Sequence, residues 1–340
     1  MSGAAVTLLP SGRQFVVADG ETVLDAALRA GIALPYQCRS GECGNCRSQC
    51  VAGQLEHRPG STPTALTADD ITGGARLLCC ATASGTVTLE CREVDGIAGI
   101  PLRRATARVT AIERAADDIA VLSLELPDGQ ALEYRAGQYL EVILRDRSRR
   151  SYSMATAAVT GGTRRLELHV RHRPGGTFTD HVFGKLKVRE MLRIEGPFGT
   201  FCLDDRSDKP ILLLATGTGF APVQAILEEA WQQNLQRPIT LYWGGRTPAD
   251  LYRDADCRRW AAERPGLRYV PVLSGDAPDN WDGRRGRVQQ AVLDDHPDLT
   301  GHEVYACGSS AMIDAARSTL CSERGLPTSA FFADAFIASA

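Results

Sequence analysis

No stretch of this 340-residue sequence is long and apolar enough to suggest a membrane span; the longest purely aliphatic run, Ile211 to Ala215, falls far short of the roughly 20 residues a spanning helix needs. The start lacks a basic cluster leading into an apolar stretch, so no export signal is expected and the cytoplasm is the default location. Internal repeats and low-complexity tracts are missing. So is a strong charge of one sign: a formal net charge of −3 gives no reason to expect nucleic acid as a partner. No Ser/His/Asp arrangement or carboxylate pair stands out for acid–base or nucleophilic work. His57, His172, His181, His296 and His302 are expected at surface or packing positions. Cysteine is not scarce. Eleven in a chain without an export signal argue for reduced thiols and a metal cofactor over disulfides.

Four of the eleven form a pattern. Cys38, Cys43 and Cys46 stand at C-x4-C-x2-C spacing, with Cys79 far downstream, which is the plant-type arrangement for a [2Fe–2S] cluster. Two irons bridged by two sulfides need four thiolates, and one tight loop can supply three. Gly41 and Gly44 let that loop approach the cluster closely. A structural zinc site usually pairs two short Cys-x2-Cys knuckles, and only one such pair is present. Cys79 is expected to ligate and Cys80 to point elsewhere. Cys50, Cys80, Cys91, Cys202, Cys257 and Cys321 are expected in buried structure.

Hydrophobic content of 44% and charge content of 23% are those of an ordinary globular protein, and the length predicts two or three domains. Residues 5–18 read as two strands around Pro10-Ser11-Gly12. Thr22 with Asp25 resembles a capping box that opens a helix ending near Gly31. Hairpin, helix and cluster loop make a β-grasp module closing with a strand over Thr86 to Glu90, and the domain is assigned to residues 1–95. Glycines and a proline within 93–102 read as a linker. Alternating apolar residues across 103–204 (Leu122, Leu124, Leu126; Leu140, Val142, Leu144; Leu166, Leu168, Val170) predict a small antiparallel barrel. From 208 to 340 the strand runs Pro210–Ala215, Pro238–Trp243, Leu267–Leu273 and Glu303–Ala306 alternate with helical segments. That alternation predicts a parallel sheet with crossover helices.

Four further motifs lie in these last two domains. Arg150-Ser151-Tyr152-Ser153 ends a barrel strand, and Pro174-Gly175-Gly176-Thr177-Phe178-Thr179 opens a helix. Arginine suits a phosphate, tyrosine a flat isoalloxazine, and a glycine turn entering a helix a pyrophosphate. In isolation the first motif also fits a plain basic strand end. Thr216-Gly217-Thr218-Gly219 sits between a strand and a helix, the context that gives a glycine loop meaning for a dinucleotide. It lacks the full Gly-x-Gly-x-x-Gly pattern and taken alone fits an ordinary βα turn. Cys307-Gly308 ends a later strand at what should be the same sheet edge; a lone cysteine there also fits buried structure.

Module order and motifs together resemble the oxygenase-type flavoprotein reductases of the ferredoxin–NADP reductase superfamily, over essentially the whole chain. They are similar to the NAD(P)H reductase components of Rieske aromatic-ring dioxygenases, such as those for terephthalate and naphthalene, and to the reductase acting on CDP-6-deoxy-glucoseen. The resemblance implies a multidomain chain: β-grasp ferredoxin, antiparallel β-barrel for FAD, α/β parallel-sheet domain for NAD(P). It implies that Cys38, Cys43, Cys46 and Cys79 hold the cluster. Arg150 would meet the flavin phosphate, with Tyr152 and Ser153 at the ring. His169, Val170 and Arg171 would form the next flavin-contacting strand, and Gly176 and Thr179 the pyrophosphate turn. Gly217, Thr218 and Gly219 would bind the nicotinamide dinucleotide, with Gly244, Gly245 and Arg246 near its adenosine half. Cys307 and Gly308 would lie beside the nicotinamide, and Phe336 would approach the flavin. Ser310 stands where the family often has proline.

Electron counting gives these parts an order. Nicotinamide yields two electrons as hydride, a [2Fe–2S] cluster takes one, and flavin converts between them. A plant-type cluster near about −400 mV lies below Rieske centres at about −150 to +300 mV, so transfer to a Rieske oxygenase runs downhill. The resemblance therefore implies a monomeric reductase serving a terminal oxygenase, Rieske-type before di-iron, as in aromatic hydrocarbon catabolism. Alternatives are a reductase for deoxysugar reduction, or a redox sensor or carrier without NAD(P)H turnover, against which the intact nucleotide motifs argue. NADH and NADPH both remain open. Arg246 and Arg253 could meet a 2′-phosphate, while family habit leans to NADH.

Overall fold

The computed structural model describes residues 3–275 and 277–336. The chain divides into two compact units. One runs to Pro101 and includes Phe198–Thr200; the other comprises Leu102–Pro197 and Phe201 onward.

The first unit is a mixed five-stranded sheet. Its strands are β1 (Ala4–Leu9), β2 (Gln14–Val17), β3 (Arg47–His57), β4 (Ala75–Leu77) and β5 (Ala81–Glu90), in the order β2-β1-β5-β3-β4, with β1 and β5 parallel. Helix α1 (Val23–Arg29) starts where Thr22 accepts the Asp25 amide, and it buries Val23, Leu24, Ala26 and Ala27. Helix α2 (Ala68–Thr72) carries a full Thr67/Asp70 capping box. Residues 91–102 form no regular element, as expected of a linker, yet they are pinned: Arg13 pairs with Glu93 at 2.5 Å and Val94 donates to Ala33 O. Thr200 Oγ1 donates to Tyr36 O (2.9 Å) and accepts the Tyr36 amide (3.1 Å).

The second unit holds two sheets. The first is the expected barrel: β6 (Arg103–Ala116), β7 (Ile119–Glu125), β8 (Tyr139–Ile143), β9 (Arg149–Ser153), β10 (Arg165–Arg171) and β11 (Met191–Phe198), in the order β10-β7-β6-β11-β8-β9. An antiparallel bridge between Met154 and Leu168 joins the two edge strands and closes it. Alternation drives this closure. Leu122, Leu124, Leu140, Val142, Leu166, Leu168 and Val170 all turn into one core. Helix α3 (Thr177–Gly184) follows β10.

The second sheet is wholly parallel: β12 (Ile211–Thr216), β13 (Ile239–Gly245), β14 (Leu267–Leu273), β15 (Arg284–Arg285), β16 (Glu303–Ser309) and β17 (Phe331–Phe336), in the order β15-β14-β13-β12-β16-β17. Helices α4 (Phe220–Gln232), α5 (Asp254–Glu263), α6 (Val288–Asp295) and α7 (Ser310–Arg324) connect the strands, and apolar cores lie on both faces. Because successive strands run outward from β12 on one side and resume with β16 on the other, the switch point falls between β12 and β16. Ligands of open α/β sheets bind at the carboxyl edge of such a point. No helix of the described residues is long and apolar enough to cross a membrane.

Candidate functional site

The cysteine loop is shaped by left-handed backbone. Arg39 (φ 60°), Gly41 (φ 90°) and Gly44 (φ 74°) all adopt positive φ. A Cβ on Gly41 would come within 2.9 Å of Cys80 Sγ and 3.0 Å of Thr62 O, so only glycine fits. Arg39, the non-glycine member, is held by an ion pair to Asp25 at 2.9 Å. The curl turns the amides of Ser40 and Cys43 onto Cys38 Sγ, each at 3.4 Å. The Cys43 thiol donates to the same sulfur, and these donors hold Cys38 well below the ordinary thiol range against the effect of burial.

The thiols gather as two pairs, Cys38 with Cys43 and Cys46 with Cys79, the latter at 3.2 Å. Among the described residues no three His, Cys, Asp or Glu side chains converge on one ion. A mononuclear zinc site would need such convergence, whereas a binuclear cluster divides its four thiolates two per iron. The donor set therefore fits the [2Fe–2S] group. One expectation is corrected here. Cys80 does not point away, because its Sγ lies 3.6 Å from Cys79 Sγ. Residues 78–80 form a turn, closed by Cys80 N donating to Leu77 O, so side chains there need not alternate as in a strand. Cys80 is nonetheless buried as expected, as are Cys91, Cys202 and Cys257, while Cys50 and Cys321 are partly exposed.

The flavin motif lies on β9. Arg149 is neutralised by Glu141 (2.5 Å) and Glu195 (2.6 Å). Its neighbour Arg150 donates to the Arg149 carbonyl and makes no ion pair among the described residues, although it lies near enough to help lower the Asp146 carboxyl, so its guanidinium can still meet an anion. Tyr152 packs on Phe178 with ring centroids 5.3 Å apart. Burial raises its phenol pKa, and Arg150 and Arg173 both lie near enough to oppose that shift. Arg173 was not singled out in the sequence; its one signal is its place beside the Pro-Gly-Gly turn. Thr179 Oγ1 is occupied within that turn, donating to Arg173 O at 2.8 Å and accepting the Arg173 amide at 3.2 Å. Gly176 is required there because a Cβ would meet Thr179 Oγ1 at 2.7 Å. Two unpaired arginines flanking an aromatic ring at a helix start fit an FAD with its pyrophosphate.

The strand between them behaves differently from expectation. Val170 is fully buried in the barrel core. His169 turns its ring into the junction with the parallel sheet, where Nδ1 meets Tyr252 OH at 2.7 Å and Nε2 meets Glu167 Oε1 at 3.0 Å. Arg171 pairs with Asp250 at 2.5 Å and stands over Gly217.

At the parallel sheet, strand register lines up Thr216 with Gly244, Ala215 with Cys307 and Ser309 with Phe336. Gly217, Thr218, Gly219, Gly244, Gly245, Arg246, Cys307, Gly308 and Phe336 thus share the carboxyl edge around the switch point. Several of these glycines have packing reasons. A Cβ on Gly219 would lie 2.3 Å from Cys307 O, one on Gly308 2.1 Å from Thr216 Oγ1, and one on Gly244 2.5 Å from Val288 Cγ1. The ends of β12 and β16 meet backbone to backbone, which leaves Gly217, at φ 54°, lining the edge. Ser310 opens α7, and the preceding Ser309 caps it by accepting the Met312 amide, so proline is not needed there. Arg253 is bound bidentately by Glu113 at 2.9 and 2.8 Å and is not available for a 2′-phosphate; Arg246 is exposed.

Barrel and parallel sheet meet at a residue the sequence reading missed. Asp334 of β17 is buried; its Oδ2 accepts from Ser153 Oγ at 3.3 Å, and the Cys307 thiol donates to the same side chain. Burial, then the Asp334 charge, push the Cys307 thiol far above its usual range, so it remains a neutral donor. A lone aspartate in an apolar strand carried no signal. Only the fold brings Ser153, Cys307 and Asp334 together.

Comparison with known proteins agrees with this construction. Residues 6–84 match a 2Fe-2S iron-sulfur cluster binding domain, 106–202 an oxidoreductase FAD-binding domain and 213–318 an oxidoreductase NAD-binding domain. The CDP-6-deoxy-L-threo-D-glycero-4-hexulose-3-dehydrase reductase of Yersinia pseudotuberculosis is 41% identical over 98% of both chains. Terephthalate 1,2-dioxygenase reductase component 1 of Comamonas is 37% identical over 96% of this chain and 95% of that one. Among solved structures, the Amycolatopsis cytochrome P450 reductase GcoB superposes with a TM-score of 0.80 at 33% identity, covering 98% of both chains. This chain belongs to the family of NAD(P)H-dependent iron–sulfur flavoprotein reductases, in which a [2Fe–2S] ferredoxin domain is joined to FAD- and NAD-binding domains.

Proposed function

We propose that the chain is the reductase component of a two-part system, carrying electrons from NAD(P)H to a separate terminal oxygenase, with a Rieske-type aromatic-ring dioxygenase as first choice. FAD, when bound, supplies the conversion of one hydride into two single electrons. The protein supplies position. The observation that carries the reading is the convergence of Ser153, Asp334 and Cys307 where the barrel meets the sheet edge. Ser153, beside Tyr152, would present its hydroxyl oxygen to the flavin edge while Asp334, which accepts its O–H, orients it. Cys307 and Gly308 would form the floor for the nicotinamide, and β17, ending at Phe336, would cover the ring from the other strand. Arg150 and Arg173 would hold the FAD pyrophosphate. Cys38, Cys43, Cys46 and Cys79 would hold the cluster as the one-electron exit.

A second reading has its own support. The Yersinia relative, whose name assigns it to a deoxyhexulose dehydrase, shares more identity (41%) than the terephthalate dioxygenase reductase (37%). The test supplies purified reductase and NADH or NADPH to a Rieske dioxygenase and, separately, to a CDP-6-deoxy-hexulose dehydrase. Dihydroxylated aromatic product with the first partner alone supports the oxygenase reading; reduced sugar nucleotide with the second alone replaces it.

A further inference from the structure

The segment after β13 is tied to the barrel by three consecutive polar contacts. Asp250 pairs with Arg171 of β10, the Tyr252 hydroxyl meets His169 of β10, and Arg253 clasps Glu113 of β6. Asp250 differs from the other two because its oxygens are divided between two tasks. Oδ2 accepts the amides of Arg246 and Thr247, both at 3.0 Å, and the Thr247 hydroxyl at 3.2 Å. This pins the turn that carries Arg246 past the end of β13. Oδ1 accepts Arg171 Nη2 at 2.5 Å.

A second carboxylate, Asp118, flanks the Arg171 guanidinium. Asp118 Oδ2 stands 2.9 Å from Nε, but off the N–H axis, so Nε makes no hydrogen bond. Nη1 has no hydrogen-bond partner among the described residues and faces Gly217, where an added Cβ would lie 3.0 Å away. Asp250 and Asp118 thus hold two sides of the guanidinium, and Nη1 is the one nitrogen that turns an N–H toward the dinucleotide loop, where a phosphate oxygen can accept it.

We propose that Asp250 is a positioning residue for NAD(P)H, one oxygen fixing the Arg246 turn at the adenosine side and the other aiming Arg171 at the pyrophosphate over Gly217–Gly219. Arg171 thereby serves the nicotinamide dinucleotide although it stands on a barrel strand. The proposal rests on the placement of NAD(P)H at the Gly217–Gly219 loop.

The experiment measures calorimetric binding of ADP-ribose to the oxidised holoenzyme, since this probe carries the adenosine and pyrophosphate but no nicotinamide. Asp250→Ala and Arg171→Gln should each weaken binding by about tenfold or more, the loss expected for a charge-assisted hydrogen bond. The double variant should bind no worse than the weaker single. Asp250→Asn, which keeps an acceptor for the turn but loses the ion pair, should fall between wild type and Asp250→Ala. Arg171→Lys should recover most of the loss. In NAD(P)H–ferricyanide turnover the defect should appear in KM and not in kcat. Unchanged ADP-ribose affinity in Asp250→Ala, loss of FAD from Arg171→Gln, or a defect confined to kcat would each overturn the proposal. Thr218→Glu separates it from its premise: if that variant binds ADP-ribose normally, the dinucleotide lies elsewhere. If Thr218→Glu binds weakly while Asp250→Ala binds normally, only the role of Asp250 is wrong.

Discussion

At the scale of single residues, the sharpest question is which of two adjacent thiols ligates. Cys79 Sγ lies 3.2 Å from Cys46 Sγ, while Cys80 Sγ lies 3.6 Å from Cys79 Sγ and against Gly41. We expect Cys79→Ala to abolish the visible absorption and EPR signal of the wild-type cluster, and Cys80→Ala to retain both. The opposite pattern would shift the ligand assignment by one residue. The cysteines show why some chemistry is legible in a sequence. Their spacing is itself the constraint, since three ligands of one cluster must share one loop. Arg150 and Tyr152 were visible for the same reason, being two positions apart on a strand. Asp334 and Asp250 were not, because each acquires meaning only through a partner far away in the chain: Ser153 for the first and Arg171 for the second. A solitary aspartate in Phe331–Phe336, or one closing a turn after β13, reads as surface chemistry until the fold supplies that partner.

At the scale of elements, the pattern of strands and helices followed from alternation and from the position of Gly and Pro, but the facing of individual side chains did not. Strand β10 is the clearest case. Its apolar residues were assigned to the barrel core and lie there, while His169 between them faces the parallel sheet. Burial depresses the His169 pKa below its ordinary value, and its hydrogen bond to the Glu167 carboxylate only partly opposes this. The sign of the linkage follows. Above the unfolded value of about 6.5 both states carry a neutral ring and the group adds no pH dependence. Below it the unfolded chain binds a proton that the folded chain does not, so stability falls as pH drops. The slope from this one group approaches at most about 1.4 kcal/mol per pH unit. Comparing melting of the FAD-bearing unit between pH 7 and pH 5, His169→Gln should show a shallower loss of melting temperature than wild type. Equal slopes would mean that the ring takes up a proton without opening the junction.

At the scale of the whole molecule, the division into two units makes the three cofactor roles separable. Among the described residues, the apolar cores of the second unit contain none before Leu102. Damage confined to the cluster loop should therefore leave the barrel and parallel sheet folded and loaded with FAD. Cys43→Ser removes one thiolate of the Cys38/Cys43 pair, and an alkoxide is a poor substitute for a soft thiolate ligand. The purified variant should lose cluster iron yet keep stoichiometric FAD. NAD(P)H-driven ferricyanide reduction, which can draw on the flavin directly, should stay within about twofold of wild type. Reduction of cytochrome c or of a partner oxygenase, which must draw on the one-electron exit, should fall by about a hundredfold or more. Arg150→Ala should behave in the opposite way, releasing FAD and depressing both activities together while the cluster spectrum survives. If a folded, flavin-loaded Cys43→Ser protein lost both activities equally, the cluster would have to act before the exit step. The order nicotinamide, flavin, cluster, partner would then be wrong even though every domain had been placed correctly.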